Sequence, residues 1–429
     1  MLHFRRFGML GMLALLVAAG QVKAGAQQIK TVFVIAMENH NWTQPDNQFT
    51  GGIQQIFQNP AAPFINSLVN GTATAVINGR TVNISRQVAF ATNYRNVLAT
   101  DGGNNPHIHP SEPNYLWAEA ATNFGVQNDA DPFTPTGSLA QIQNQDNQLH
   151  LARLLSDCGV SWKSYQEDID LVPDGNSFDN IVRPRNQWTS PITSLSGVFA
   201  SGANQFNGSN QFNYAVKHNP MAFFTDTNGG NDTTTANPLR LQYAPLQQLF
   251  VDLANNNVAQ YNWISPDQFN DQHTTLAAGF KGLTGDPAKI LQGDNFLQQI
   301  IPVIMASRAY QDHGAIILWW DESESDGVAG DNPDDLTHTV PEIVISPLAH
   351  PNVGGIPFAS DVFLTHSSDV RTIQEIFHAT SPFFLGDAIH ATDLSSLFAD
   401  GAIPRPDRNG DRGNGGCRAN QDGQSRDGR

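Results

Sequence analysis

The chain is poor in cysteine, in basic residues and in long apolar segments. Only Cys158 and Cys417 occur in 429 residues, which excludes a disulfide framework and a cysteine-only zinc site; the two can form at most one bridge. Basic residues number 23 against 40 acidic ones, for a formal charge of −17, which argues against nucleic acid as a stable partner. No stretch after residue 24 approaches the ~18 apolar residues of a membrane span, so no integral membrane anchor is expected.

Residues 1–24 have the pattern of a secretory signal peptide. Arg5 and Arg6 precede an apolar run at 8–20, and small residues at 22–24 suit cleavage. We therefore expect a secreted or periplasmic protein. A retained anchor is the alternative, and it is disfavoured because polar residues follow at once.

Apolar runs rich in β-branched residues predict buried strands at 30–37, 315–320 and 342–347. Between and after these strands, apolar residues recur at helical spacing. It predicts helices at 149–155, at 246–253, from about Asp294 to Asp312 with a kink at Pro302, and at 370–377 with Ser367 and Ser368 as possible caps. Strands that alternate with helices indicate an α/β fold with a mostly parallel central sheet and helices on both faces.

The remaining composition suggests how the chain is divided. Residues 170–240 are rich in Asn, Gly, Pro, Ser and Thr without a persistent period, which predicts a loop-rich insertion. Residues 404–429 have almost nothing to bury and should form a disordered tail. We expect one domain over 29–400.

Two of the predicted strands run directly into acidic residues. Glu38 and Asn39 follow the first, and Asp321 and Glu322 follow the second. Ligands bind beyond the carboxyl ends of strands in open parallel sheets, and clustered oxygen ligands suit a divalent cation. The alternative is that these are ordinary surface acids at the ends of strands.

A histidine-rich segment at 105–115 contains Ser111, and a helix-forming stretch at 116–120 follows the segment. A serine in that position can cap the helix. If a metal lies beside it, the same serine becomes a nucleophile with a lowered pKa. The segment alone leaves both interpretations open.

Seven sequence blocks follow one another in order along the chain. The first is Met-Glu-Asn-His at 37–40 and the second is His-Pro-Ser-Glu-Pro-Asn-Tyr-Leu at 109–116. The others lie at 154–168, 261–273, 318–322, 338–347 and 366–373. Together these blocks resemble the phosphoesterase family that includes bacterial acid phosphatases and phospholipases C. The resemblance covers roughly 29–398, and the order of the blocks makes it specific.

The resemblance implies a fold similar to the alkaline phosphatase superfamily and one divalent metal ion of unspecified identity. Ser111 would attack phosphorus and form a phosphoserine that water then hydrolyses. The implied metal-binding residues are Glu38, Asn39, Ser111, Asp321 and Glu322.

The resemblance also implies residues that bind a small phosphorylated substrate and protonate its leaving group. Asn39, Asn114 and Asp271 would bind the substrate. His273 and His338 are the first choices for the proton donor. His107, His109 and His366 come next.

One departure bears on the substrate. Phospholipases C of this family typically have Arg where this chain has Tyr115, whereas the serine with Pro-Asn-Tyr is similar to the acid phosphatase branch, which takes phosphate monoesters. We therefore expect a monoesterase. The alternatives are a phospholipase C-like phosphodiesterase, a non-catalytic secreted binding protein on the same fold, and a glycosidase using Glu38 and Asp321. The last would leave the Ser111 block unexplained.

Overall fold

A computed structural model describes residues 27–43, 55–96, 109–132, 145–146, 148–171, 182–324, 338–380 and 383–404. The predicted signal peptide, His107 and Cys417 lie outside the described residues, as does the predicted tail beyond Pro404. The possible bridge between Cys158 and Cys417 is therefore not described.

The described residues form twelve strands, eight of them in one sheet. The strands are β1 (Thr31–Met37), β2 (Thr74–Ile77), β3 (Arg80–Asn83), β4 (Val88–Ala91), β5 (Trp162–Gln166), β6 (Leu195–Val198), β7 (Gln211–Tyr214), β8 (Tyr243–Pro245), β9 (Tyr261–Ser265), β10 (Gly314–Trp320), β11 (Glu342–Ile345) and β12 (Phe358–Ser360). The large sheet has the order β12-β4-β11-β10-β1-β9-β5-β8, and β2-β3 and β6-β7 are separate two-stranded sheets.

Most neighbours in the large sheet are parallel, as predicted. The five strands from β10 to β8 run parallel to one another, and only β11 is antiparallel to its two neighbours. Every residue of β1 and of β10 is buried, so both faces of these central strands are covered. Their continuous apolar sequences are explained by that double burial.

Eight α-helices accompany the sheet in the described residues. They are α1 (Pro63–Val69), α2 (Ser111–Ala120), α3 (Leu151–Asp157), α4 (Thr225–Asn228), α5 (Leu246–Ala254), α6 (Asp286–Ala306), α7 (Arg308–Gln311) and α8 (His366–Ile376). No helix among the described residues has the length and apolar character to cross a bilayer.

The long predicted helix differs from the observed one at both ends. It begins at Asp286, where Pro287 occupies the first turn and its fixed φ favours helix initiation. It ends at Ala306, and Pro302 lies inside it. A separate helix follows because Ser307 is extended and its side chain accepts a hydrogen bond from the Tyr310 amide, which makes Ser307 an N-cap.

The cap of α8 also differs from the prediction. Its N-cap is Thr365, which forms a capping box with Ser368 at the third helical position. Ser367 is not the N-cap, because it is the second residue inside the helix; its hydroxyl accepts a hydrogen bond from Trp117 Nε1 at 2.8 Å. That contact ties α8 to α2.

Candidate active site

The carboxyl ends of β1 and β10 bring four predicted residues together. Met37 pairs with Trp320 in the parallel register, so Glu38 and Asn39 emerge beside Asp321 and Glu322. The Asn39 amide donates to Asp321 Oδ1 at 3.1 Å, and the Asn39 side chain donates to Glu322 Oε1 at 2.7 Å. The register of two strands that are distant in the sequence thus forms the acidic group, in which Asn39 and Asp321 are 282 residues apart.

Ser111 joins this group as the first residue of α2. The N-cap is Pro110, and no side chain caps the helix; the interpretation of Ser111 as a cap is therefore wrong. Its Oγ lies 3.1 Å from Glu38 Oε2 and 3.4 Å from Glu322 Oε1. We call Glu38, Asn39, Ser111, Asp321 and Glu322 the serine cluster.

Asn114 lies one turn further along α2 and contacts the same carboxylate. Its Nδ2 donates to Glu322 Oε2 at 2.9 Å. Asn96 Nδ2 lies 3.3 Å from Asn114 Oδ1 and also donates to the Asp321 carbonyl at 2.8 Å. Asn39 and Asn114 therefore hold the two oxygens of Glu322 in place.

His218 contacts the serine cluster and is not among the site residues predicted from the sequence. Its Nε2 lies 3.0 Å from Glu38 Oε1 and its Nδ1 lies 3.2 Å from Asp271 Oδ2. Tyr115 stacks on the imidazole at 4.9 Å and donates to Glu38 Oε1 at 2.6 Å. The one available signal was that His218 is the only histidine of the segment predicted to be a loop-rich insertion.

His218 has a basic neighbour, Lys217, in the same 3-10 turn, Val216–His218. The Lys217 ammonium lies 2.9 Å from Asp129 Oδ2. Burial alone would lower the pKa of Lys217, but the negative charges of Glu38 and Asp129 raise it above its usual range. Lys217 therefore stays charged near the serine cluster.

Burial and charge shift the titration of these groups in different directions. Burial alone would raise the pKa of Glu38, but the charge and hydrogen bond of His218 lower it below its usual range. Burial alone would lower the pKa of His218, and Glu38 together with Asp271 raises it to about 9. Burial, followed by the charge of Glu38, raises the pKa values of Asp321 and Glu322 well above their usual range. The protein alone thus leaves part of the acidic charge uncompensated.

The donor set fits a hard divalent cation. Asn39 Oδ1 and Asp321 Oδ2 are buried and accept no hydrogen bond, and carboxylate oxygens of Glu38 and Glu322 lie beside the Ser111 hydroxyl. Oxygen ligands of this kind suit Mg²⁺, Mn²⁺ or Ca²⁺. A second set, Glu38, His218 and Asp271, also has ligand atoms within 4.8 Å of one another.

The predicted histidines occupy different positions around the cluster. His273 donates its amide to Asp271 Oδ1 at 2.7 Å, and its ring centroid lies 6.1 Å from that of His218. Burial lowers the pKa of His273 to about 4. His338 is buried beside Thr339, which bridges to Thr43. The part of His338 in the chemistry stays a prediction.

Two further histidines contact members of the cluster. His109 Nδ1 lies 2.8 Å from Glu322 Oε1, and the His109 side chain is 24% exposed. His366 Nε2 contacts the Asp321 carbonyl, while Tyr94 and Trp319 contact its other nitrogen. His366 thus supports the Asp321 backbone from inside the core, and His109 lies at the surface of the cluster.

The fold and this site define an α/β protein with a serine and an oxygen-rich cluster at the carboxyl edge of a mostly parallel sheet. Residues 21–380 match the model of the Phosphoesterase family. The chain therefore belongs to that family, which confirms the resemblance found in its motifs.

Curated relatives and solved structures are similar to parts of the chain. A probable acid phosphatase of Kluyveromyces lactis is 28% identical over 225 residues, covering 51% of this chain and 39% of that protein. A phosphate-repressible acid phosphatase of Penicillium chrysogenum is 24% identical over 272 residues, covering 62% and 48%. The match thus spans less than half of each relative. An alkaline phosphatase superfamily protein from Vibrio parahaemolyticus has 12% identity and a TM-score of 0.43, covering 89% of this chain and 74% of that one.

Proposed function

We propose that the protein is a metal-dependent phosphoesterase that hydrolyses small phosphate monoesters through a phosphoserine formed on Ser111. The observation that carries the proposal is the position of Ser111 Oγ, 3.1 Å from Glu38 Oε2 and 3.4 Å from Glu322 Oε1 at the start of α2. A buried serine between two carboxylates has proton acceptors within reach. Family membership and the acid phosphatase relatives support the same class of reaction.

Glu38, Asn39, Ser111, Asp321 and Glu322 are the residues we propose to hold the cation. When bound, a divalent cation lowers the pKa of a coordinated hydroxyl and neutralises charge on phosphoryl oxygens. The uncompensated acidic charge and the two buried oxygens without hydrogen bonds support this assignment. The Asn39 and Asn114 amides would keep Glu322 oriented, and Asn39, Asn114 and Asp271 remain our proposed substrate-binding residues.

The reaction then proceeds in two displacements. Ser111 Oγ gives its proton to a neighbouring carboxylate and bonds to phosphorus, while the ester oxygen leaves and takes a proton. We propose His273 as that proton donor at acid pH, since burial lowers its pKa to about 4, with His338 as the second choice; His273 is adjacent to the pair formed by Asp271 and His218. Water then attacks phosphorus, the Oγ–P bond breaks, Oγ regains a proton, and inorganic phosphate is released.

Tyr115 favours monoesters over diesters in this proposal. By the family resemblance it stands where phospholipases C carry Arg, and its hydroxyl is already engaged with Glu38 at 2.6 Å. The Ser111 block with Tyr115 is similar to the acid phosphatase branch of the family, and this similarity supports the choice of monoesters. The proposed location is secreted or periplasmic, which follows from the basic and apolar pattern of residues 1–24.

The test compares a chromogenic phosphate monoester with the phosphocholine diester of the same chromophore, from acid to mildly alkaline pH. We expect monoester turnover that a chelator abolishes and a divalent cation restores. A preference for the diester would contradict the proposal and would support a phospholipase C-like phosphodiesterase instead. No turnover of either ester, with cation present, would favour the non-catalytic binding protein.

A further inference from the structure

A second group of carboxylates lies at the same edge of the sheet. Glu167 and Asp168 directly follow β5, and Asp267 follows the adjacent parallel strand β9. All three are buried, and one oxygen from each lies within 4.8 Å of the others. We call these three residues the second acidic cluster.

Neutral amides donate hydrogen bonds to the second acidic cluster. Glu167 Oε1 accepts from Asn204 Nδ2 at 2.7 Å and Asn270 Nδ2 at 2.9 Å, and its Oε2 accepts from the Asp267 amide at 2.9 Å. Asp168 Oδ2 accepts from the Asn213 amide at 2.9 Å. Neither Glu167 nor Asp267 forms an ion pair with a Lys, Arg or His in the part of the chain that is described. Amide donors orient these carboxylates but do not neutralise them.

Asp267 has an oxygen that is left for a ligand. Its Oδ1 accepts from the amides of Phe269 and Asn270 at 3.1 and 2.8 Å. Its Oδ2 is buried and accepts no hydrogen bond. A buried carboxylate oxygen without a donor is unfavourable unless a cation or a proton occupies its lone pairs.

The buried negative charge of the second acidic cluster can be compensated in two ways, by a proton or by a divalent cation. Burial, Glu167 and Asp168 together raise the pKa of Asp267 well above its usual range, so its carboxyl could hydrogen-bond to Asp168 when protonated. One proton on Asp267 would still leave the charge of Glu167 buried among amide donors. A divalent cation compensates more of it and uses three oxygens at once.

We propose that Glu167, Asp168 and Asp267 bind a hard divalent cation, Ca²⁺ by preference, at a site separate from the serine cluster. The side-chain donors are all carboxylate oxygens, with no imidazole or thiolate in the set, which is the chemistry that Ca²⁺ prefers. The ligands come from the ends of two adjacent strands, a rigid arrangement that keeps the oxygens together.

This ion would stabilise the loop that leads to the serine cluster. The Asp271 amide donates to the Asp267 carbonyl at 2.9 Å, and the Asp271 carbonyl accepts from the Glu38 amide at 2.8 Å. The Asp271 carboxylate contacts His218. Loss of the ion should therefore lower the melting temperature first and turnover only secondarily.

The test counts bound metal by mass spectrometry after Ca²⁺ loading and dialysis of the full chain. The wild type should retain one more ion than Asp267→Asn, and Ca²⁺ should raise the melting temperature of the wild type but not of this variant. Asp294→Asn is the matched control, because Asp294 is also a buried carboxylate that accepts from two backbone amides, those of Phe64 and Ile65. It should keep the ion.

A second variant covers the case in which Asp267→Asn fails to fold. Asp321→Asn combined with Glu322→Gln removes ligands only from the serine cluster and should still retain one Ca²⁺ per chain. No retained Ca²⁺ in this double variant, or equal Ca²⁺ retention by the wild type and a folded Asp267→Asn, would overturn the proposal in favour of a shared proton. The outcome does not depend on whether Ser111 is the nucleophile.

Discussion

Two buried acidic groups lie at the same edge of one sheet, yet their surroundings differ. The serine cluster follows β1 and β10, has His218 and Lys217 nearby, and includes the hydroxyl of Ser111. The second acidic cluster follows β5 and β9 and is surrounded by amides. Carboxylates thus follow two different pairs of strands at the same edge of the sheet. The chemistry at each place depends on what other chain segments bring to it.

The largest effect is expected from removing the hydroxyl of Ser111, which is present in the serine cluster and absent from the second acidic cluster. Ser111→Ala should lower kcat for a phosphate monoester by on the order of 10³-fold or more, because in the proposed reaction Ser111 alone forms the covalent intermediate. Steady-state kinetics with the wild-type metal content verified would measure it. Ser367→Ala is the control, since Ser367 is also a buried serine in the first turn of a helix. Comparable kcat values for the two variants would refute Ser111 as the nucleophile.

The next effect concerns His218, a basic side chain that contacts the serine cluster. The pKa of His218 is raised from 6.5 to about 9 in the folded protein, since Glu38 and Asp271 outweigh burial. Its stabilising contribution is therefore fully present below pH 6.5 and is lost as pH rises through about 9. Roughly 3 kcal/mol of unfolding free energy is involved at 1.36 kcal/mol per pKa unit.

Denaturant unfolding at several pH values between these limits would measure that loss. His218→Gln should abolish this part of the pH dependence, whereas Asp267→Asn should retain it, because Asp267 forms no ion pair with a described histidine. His350→Gln, which removes a ring stacked on Phe358, is the control. An unchanged slope in His218→Gln would contradict the ion pair with Glu38.

The smallest expected effect tests whether Glu322 binds the cation or is only an acidic residue near Ser111. Glu322→Gln should weaken cation binding by at least about 10- to 100-fold, which is the range seen when a metal site loses only a group that orients a ligand. Excess cation should then restore part of the activity. Glu112→Gln is the control: Glu112 follows Ser111 and is buried, and burial together with Asp129 raises its pKa well above the usual range. Equal cation dependence in both variants would argue against Glu322 as a ligand.

Much of the fold could be predicted from local pattern. Continuous apolar runs predict the strands that end at Met37 and Trp320. The helical spacing of apolar residues predicts the helix at 246–254. The start of α6 was missed, although Pro287 signals it, because the apolar period is clearer further along. The N-cap of α8 was misassigned because Thr365, Ser367 and Ser368 all have capping side chains, and only the backbone conformation selects among them.

The sequence by itself determined the family, the mostly parallel sheet, and the acids that follow β1 and β10. These depend on residues that are neighbours in the chain. Only the tertiary structure decided that Met37 pairs with Trp320, that His218 reaches Glu38 from an irregular segment, and that Glu167 meets Asp267. Those contacts join residues about 100 or more positions apart, and they form because packing of the whole sheet fixes register and strand order, which no local period encodes.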